Sequence, residues 1–195
     1  MCVSPTRFFV EDAIYDRFAD AFAEKAATIR VGNGLDPDNQ MGPLANDRRL
    51  AAMEELVADA KAKGARVTAG GSRIGNRGYF FPLTVLADVP DDARAMREEP
   101  FGPLALLSRV RNVDEAIEKA NSVPYGLAAY AFTNSARNVD RLAEGVEVGN
   151  LSINHFVASS AETPFGVKDS GFGREGGTEG LQCYTVVKNV SHLTA

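Results

Sequence analysis

The sequence predicts an α/β protein with a largely parallel sheet, covering helices and one further strand at the C-terminus. Three observations lead there. Apolar residues at helical spacing alternate with short β-branched and aromatic runs. "PLALLSRV" (residues 103–110) is almost continuously apolar, as a strand buried on both faces would be. From residue 113 onward, helix and strand patterns follow one another in the order that builds a parallel sheet. The chain has 195 residues, 45% of them hydrophobic and 24% charged, enough to bury one sizeable core.

Thr6 to Val10 reads as the first strand. Ala13, Ile14, Phe18, Phe22, Ala26 and Ile29 then mark an amphipathic helix. Val31 to Pro43 is dense in Gly, Pro, Asn and Asp and predicts a long ordered loop. Leu50, Met53, Leu56, Val57 and Ala60 share one face of a second helix, which Gly64 stops with a left-handed cap. "ARVTAGG" and "GYFFPLTVL" are extended stretches, and Pro103 to Val110 is the buried strand. A helix over Val113 to Asn121, a strand over Leu127 to Phe132, a helix over Ser135 to Glu144 and a strand over Asn150 to Ile153 complete the alternation. The tail "YTVVKNVSHL" (Tyr184 to Leu193) alternates like a strand, but no element follows it to cover its edge. Cys183, set between Leu181 and Tyr184, is expected to be packed.

Composition excludes several function classes. The net charge is −5 and no basic cluster occurs, which argues against a nucleic-acid partner. No apolar run reaches the roughly 18 residues of a membrane span, and the N-terminus shows no basic-then-apolar leader, so no membrane partner and a cytoplasmic location are expected. Cys2 and Cys183 stand far apart without a CxxC spacing, and His155 and His192 are the two histidines, so neither a disulfide framework nor a metal site is expected. "GFGREG" (171–176) matches GxGxxG in form only: "TPFGVKDS", not a strand, precedes it, and no acidic residue follows about 20 positions later. It reads as a glycine-rich turn. "REEPFGPL" (97–104) is a proline-stiffened loop that can hold one carboxylate and one ring toward a ligand.

"CVSPTRFFV", "VGNGLDPDNQMGP", "GYFFPLTVL", "EEPFGP", "NSVPYGLAAYAFT", "GNLSIN" and "PFGVKDSGFGREGG" occur in the order and near the spacing of the aldehyde dehydrogenase superfamily, which the chain resembles from Cys2 to about Leu193. The resemblance implies that Cys2 is the nucleophile, forming a thiohemiacetal and then a thioester, chemistry for which a thiolate is well suited. It implies that Glu99 binds the ribose hydroxyls beside the nicotinamide of NAD or NADP, and that Phe101 packs near the ring. It places Asn154 and Phe165 in the wall of the aldehyde tunnel. Ser159 and Ser160 would meet the substrate, and "SSAETPFG" with "REGGTEGL" looks like the succinate-semialdehyde dehydrogenase branch, where hydroxyls can donate to a substrate carboxylate.

The family's upstream general base, oxyanion-holding Asn and nucleotide-binding domain have no counterpart in these 195 residues. The chain therefore resembles the C-terminal catalytic portion: residues 1–183 as a thiol-bearing domain and 184–195 as an oligomerisation strand, without the nucleotide-binding domain. It is expected to be inactive alone, its partners being a small aldehyde and either further copies of itself or a separate nucleotide-binding half. The alternative is a stand-alone assembly or binding module that pairs through its last strand. Where the family commonly reads Pro-Phe-Gly-Gly-X-Lys, this chain has a single glycine, Gly166, which is expected to shift the loop from Phe165 to Ser170.

Overall fold

A computed structural model describes residues 2–157, 163–164 and 166–194. The expected α/β architecture is observed, and the chain divides into two compact units, Met1–Lys119 and Ala120–Ala195.

In the first unit the chain runs β1 (Arg7–Glu11), α1 (Asp12–Ala27), α2 (Asp47–Ala62), β2 (Arg66–Ala69), β3 (Thr84–Ala87), α3 (Arg94–Arg97) and β4 (Leu104–Val110). The sheet order is β1-β4-β3-β2; β4 pairs parallel with β1 and with β3, while β2 joins antiparallel at the edge through a bulge between Val67 and Ala69. Successive side chains of β4 go to opposite faces. Leu104 and Leu106 pack with Leu50, Met53, Leu56, Val57 and Ala60 of α2, whereas Ala105 and Leu107 pack with Tyr15, Ala19 and Ala26 of α1. The nearly continuous apolar run is thus a strand with a helix on each side. Of the longer stretch "GYFFPLTVL", Thr84 to Leu86 enter the ladder, after Pro82, which has no N–H to give it.

The helix ends follow local chemistry. Asn46 Oδ1 accepts the Arg49 N–H at 2.9 Å and caps α2. Gly64, at φ +106°, follows its end in the left-handed region.

Tyr15 ties α1 to the sheet. It is fully buried, its hydroxyl donates to the Leu107 carbonyl (3.3 Å), and it accepts the Asp88 N–H (2.7 Å). Asp88 itself sits at φ +54°, and its carboxylate receives Arg66 (2.7 and 2.9 Å) and Arg109 (3.3 Å). The Arg109 guanidinium lies 3.9 Å from the centre of the Tyr15 ring and also pairs with Asp16. Ile14, expected on the inward stripe, is instead exposed, because the buried position goes to the neighbour whose polar tip has partners.

α4 (Val113–Asn121) leads to the second unit, which holds β5 (Ala128–Ala131), α5 (Ala136–Gly145), β6 (Asn150–Ile153) and α6 (Gly177–Gln182). β5 and β6 are parallel, Ala128 opposite Asn150 and Ala131 opposite Ile153, with α5 as their crossover. Ser135 Oγ caps α5 by accepting the Asn138 N–H.

The tail expected as an oligomerisation strand is unpaired in the single chain. Residues 184–194 carry no strand ladder, and Val186 (93% exposed) and Val187 (103%) face solvent alike instead of alternating. A strand is stable only beside another, and this chain offers the tail no neighbour. Cys183 is exposed, not packed, with Leu181 and Tyr184 exposed beside it. No helix among the described residues is long and apolar enough to cross a membrane.

Tyr15→Phe removes both hydroxyl contacts while leaving the ring, and should lower unfolding stability by about 1–3 kcal/mol in urea denaturation, the cost of stranding buried polar groups. Burial pushes the Asp88 carboxyl up, but Arg66, Arg109 and Tyr15 together hold it below its ordinary value of 3.8. The folded state then binds fewer protons than the unfolded chain, so this contribution is present above about pH 4 and is lost as pH falls through the folded pKa. Wild type and Asp88→Asn should therefore differ in urea midpoint at neutral pH and converge in acid; a gap independent of pH would contradict this assignment.

Candidate active site

The parallel register between β1 and β4 sets Arg7 opposite Leu106. Cys2 and Phe101 each lie five residues before a member of that pair, so the thiol and the Glu99–Phe101 loop leave the sheet at the same edge. Cys2 is exposed and lies in a turn with Val3, ahead of Ser4 and Pro5. Arg7, at the start of β1, donates from Nη1 to the Lys119 carbonyl (3.1 Å) and sits over the Phe9 ring at 5.4 Å. Burial lowers its pKa from the ordinary guanidinium value. The arginine that follows Cys2 therefore secures the strand.

The two adjacent glutamates of the loop have different fates. Glu98 accepts from Arg94 Nε (2.8 Å) and Nη2 (3.2 Å), and Arg94 holds its carboxyl below the usual range. Glu99 is exposed and makes no hydrogen bond or ion pair within the described residues. Its carboxylate is open to a ligand. Phe101 is 59% exposed and takes φ +43°, a left-handed conformation that costs a non-glycine residue on the order of 1 kcal/mol or more. The ring borders an open cleft of about 550 Å³ lined also by Leu44, Ala45, Asn46, Arg48 and Arg49 at the start of α2. Arg49 Nη1 donates to the Pro100 carbonyl at 2.7 Å. A Cβ added to Gly102 would run into the Met53 side chain, so the loop lies tightly against α2.

In the second unit Asn154 follows β6 at φ +62°. Its Oδ1 accepts the Thr133 N–H (2.9 Å), its Nδ2 donates to the Thr133 carbonyl (2.9 Å), and its own N–H donates to Ala131 (2.8 Å). Expected among the substrate contacts, it has its amide committed to backbone and so shapes the chain that follows. Ser159, Ser160 and Phe165 lie outside the described residues. Phe156, which the sequence reading did not single out, packs against Tyr130 (5.4 Å) and Phe132 (5.1 Å). The single Gly166 stands at φ +104°, and two residues later Lys168 pins the chain: its Nζ donates to the Val123 carbonyl (2.8 Å) and Glu147 (3.0 Å). The Asp169 N–H reaches the Pro124 carbonyl (2.9 Å) and Ser170 Oγ accepts the Gly126 N–H (2.8 Å). From Lys168 onward the loop is fixed despite the missing glycine. Among the described residues, "GFGREG" leads into α6 from turns and bends, with no strand directly before it. Among the described residues no group of three or more His, Cys, Asp and Glu could hold a metal ion.

Arg49 and Asn46 are further residues that sequence pattern did not single out; a capping Asn followed by charged residues at a helix start was the available signal.

Residues 1–190 match the profile of the aldehyde dehydrogenase family. The chain is 49% identical over 193 residues to a 4-(hydroxymethyl)benzenesulfonate dehydrogenase of Comamonas testosteroni, covering 98% of this chain and 40% of that protein. It is 41% identical over 188 residues to the NADP⁺ succinate-semialdehyde dehydrogenase GabD of Escherichia coli, covering 96% and 39%. A crystal structure of an E. coli NADP-dependent enzyme superposes with a TM-score of 0.90 at 41% identity, over 94% of this chain and 38% of that one. The chain thus spans about 40% of the length of the curated relatives it matches. By sequence profile, relatives and fold alike, it belongs to the aldehyde dehydrogenase family.

Proposed function

We propose that this chain is the thiol-bearing catalytic part of an NAD(P)-dependent aldehyde dehydrogenase, acting on an aldehyde that carries an anionic group away from its carbonyl. The observation that carries the reading is the shared sheet edge from which Cys2 and the Glu99–Phe101 loop emerge. The residues fit a nicotinamide nucleoside: an unpaired carboxylate can accept both hydroxyls of a ribose diol, and an exposed ring beside it offers a flat apolar face.

In this mechanism the Cys2 thiolate attacks the aldehyde carbon, forming a C–S bond and placing the electron pair on the carbonyl oxygen. A nicotinamide cofactor, when bound, would supply the acceptor for the hydride that leaves this carbon as the thioester forms. Water then cleaves the thioester, releasing the carboxylic acid and returning the thiol. Glu99 would hold the ribose and Phe101 would limit the position of the ring, while the hydroxyls of Ser159 and Ser160 would serve as donors to the anionic group. That group is the common feature of the two relatives named above, a sulfonate in one and a carboxylate in the other. The general base and the phosphate contacts would come from a nucleotide-binding portion of the whole enzyme. The exposed Tyr184, Val186, Val190 and Leu193 form a strand on association, which also supports the second reading of an assembly module.

The test is a hybrid in which this chain replaces the segment of E. coli GabD that it matches. It should reduce NADP⁺ with succinic semialdehyde, prefer it to uncharged aldehydes of similar length, and lose at least about 10³-fold in kcat with Cys2→Ala. A soluble, folded hybrid whose activity survives Cys2→Ala would sink the assignment of the nucleophile. Equal turnover of charged and uncharged aldehydes would sink the substrate class.

A further inference from the structure

We propose that Arg49 is the positioning residue of the Glu99–Phe101 loop and, through it, of the ribose–nicotinamide end of the cofactor, an inference that rests on the reading of that loop given above. The Pro100 carbonyl belongs to the peptide joining Pro100 to Phe101, where the chain turns into the left-handed region. The 2.7 Å bond from Arg49 Nη1 fixes the plane of that peptide, and with it the direction of the Phe101 ring.

Four observations make this more than a surface contact. The Arg49 N–H is itself held by the Asn46 cap, so the guanidinium is presented from an ordered first turn of α2. Met53 stands one turn further along the same helix face and is fully buried against Gly102. Arg49 and Met53 thus grip residues 100 and 102, on either side of Phe101. Glu98 is taken up by Arg94, which leaves Glu99 and Phe101 as the loop side chains open to a ligand. Finally, Arg49 forms no salt bridge among the described residues, although the unit is rich in carboxylates, so its charge is directed to the loop carbonyl.

The experiment combines ¹⁵N relaxation on the full 195-residue chain with cofactor kinetics in the GabD hybrid. Arg49→Ala should drop the order parameters of the Phe101 and Gly102 amides from about 0.85 to below about 0.6, and Arg49→Lys, which keeps a cationic donor, should restore them. In the hybrid, Arg49→Ala should raise the KM for NADP⁺ about tenfold and leave the aldehyde KM within about twofold, with Arg49→Lys again close to wild type. Unchanged order parameters in Arg49→Ala, or in Arg49→Lys compared with Arg49→Met should the alanine variant not fold, would overturn the proposal. So would a loosened loop with an unchanged cofactor KM, provided that Glu99→Gln raises that KM. Should Glu99→Gln have no effect either, the cofactor reading of the loop is what fails, and the role assigned to Arg49 fails with it.

Discussion

The first unit depends on one constraint: β4 has no solvent face. Every residue of Leu104–Val110 except Arg109 is buried, with parallel neighbours on both sides and a helix against each surface. Each buried Leu contributes on the order of 2 kcal/mol, so no register shift of one residue is tolerable on either face. The register in turn decides what emerges at the strand starts. Because β1 is parallel to β4 and aligned through Arg7 and Leu106, the segments ahead of both strands are delivered to one edge. One carries the thiol, the other the carboxylate and ring. The position of the chemistry follows from hydrophobic pairing several residues away.

What stands at that edge is a short loop in which freedom has been removed from every group but two. Prolines at 100 and 103 restrict the backbone, Arg94 takes up Glu98, Met53 lies tightly against Gly102, and the Thr84 N–H binds the Pro103 carbonyl at 2.8 Å. Such anchoring can sustain a left-handed phenylalanine, whose conformation an unsupported loop would relax. The Phe101 ring and the Glu99 carboxylate are thereby left exposed on an otherwise anchored loop.

The sequence showed the periodic elements well, since periodicity is a local property: the helix over Val113–Asn121 and the strand over Asn150–Ile153 were readable to the residue. It also showed which motif residues to examine, through the family resemblance. It did not show contacts between segments far apart in the chain. Tyr15 and Ile14 are adjacent, and only the presence of Asp88 and Leu107 decides which is buried. Nothing in "NDRRL" says that the second arginine will meet a carbonyl 51 residues later. The tail carries no ladder in the single chain for the complementary reason, because alternation describes a face but cannot supply a neighbour.

Within the second unit, motif residues divide by what their polar atoms already do. The Asn154 amide is spent on both backbone groups of Thr133, and the Lys168 ammonium on the Val123 carbonyl and Glu147. Each is held at positive φ, the backbone following the side chain's bonds. A polar group already satisfied in this way gains little by exchanging its partners for a substrate, whereas an unsatisfied one gains the full bond. That asymmetry gives Asn154 and Lys168 the part of fixing the local backbone. In the first unit the same criterion separates Glu98 from Glu99, two identical residues side by side, of which only the second is free to bind.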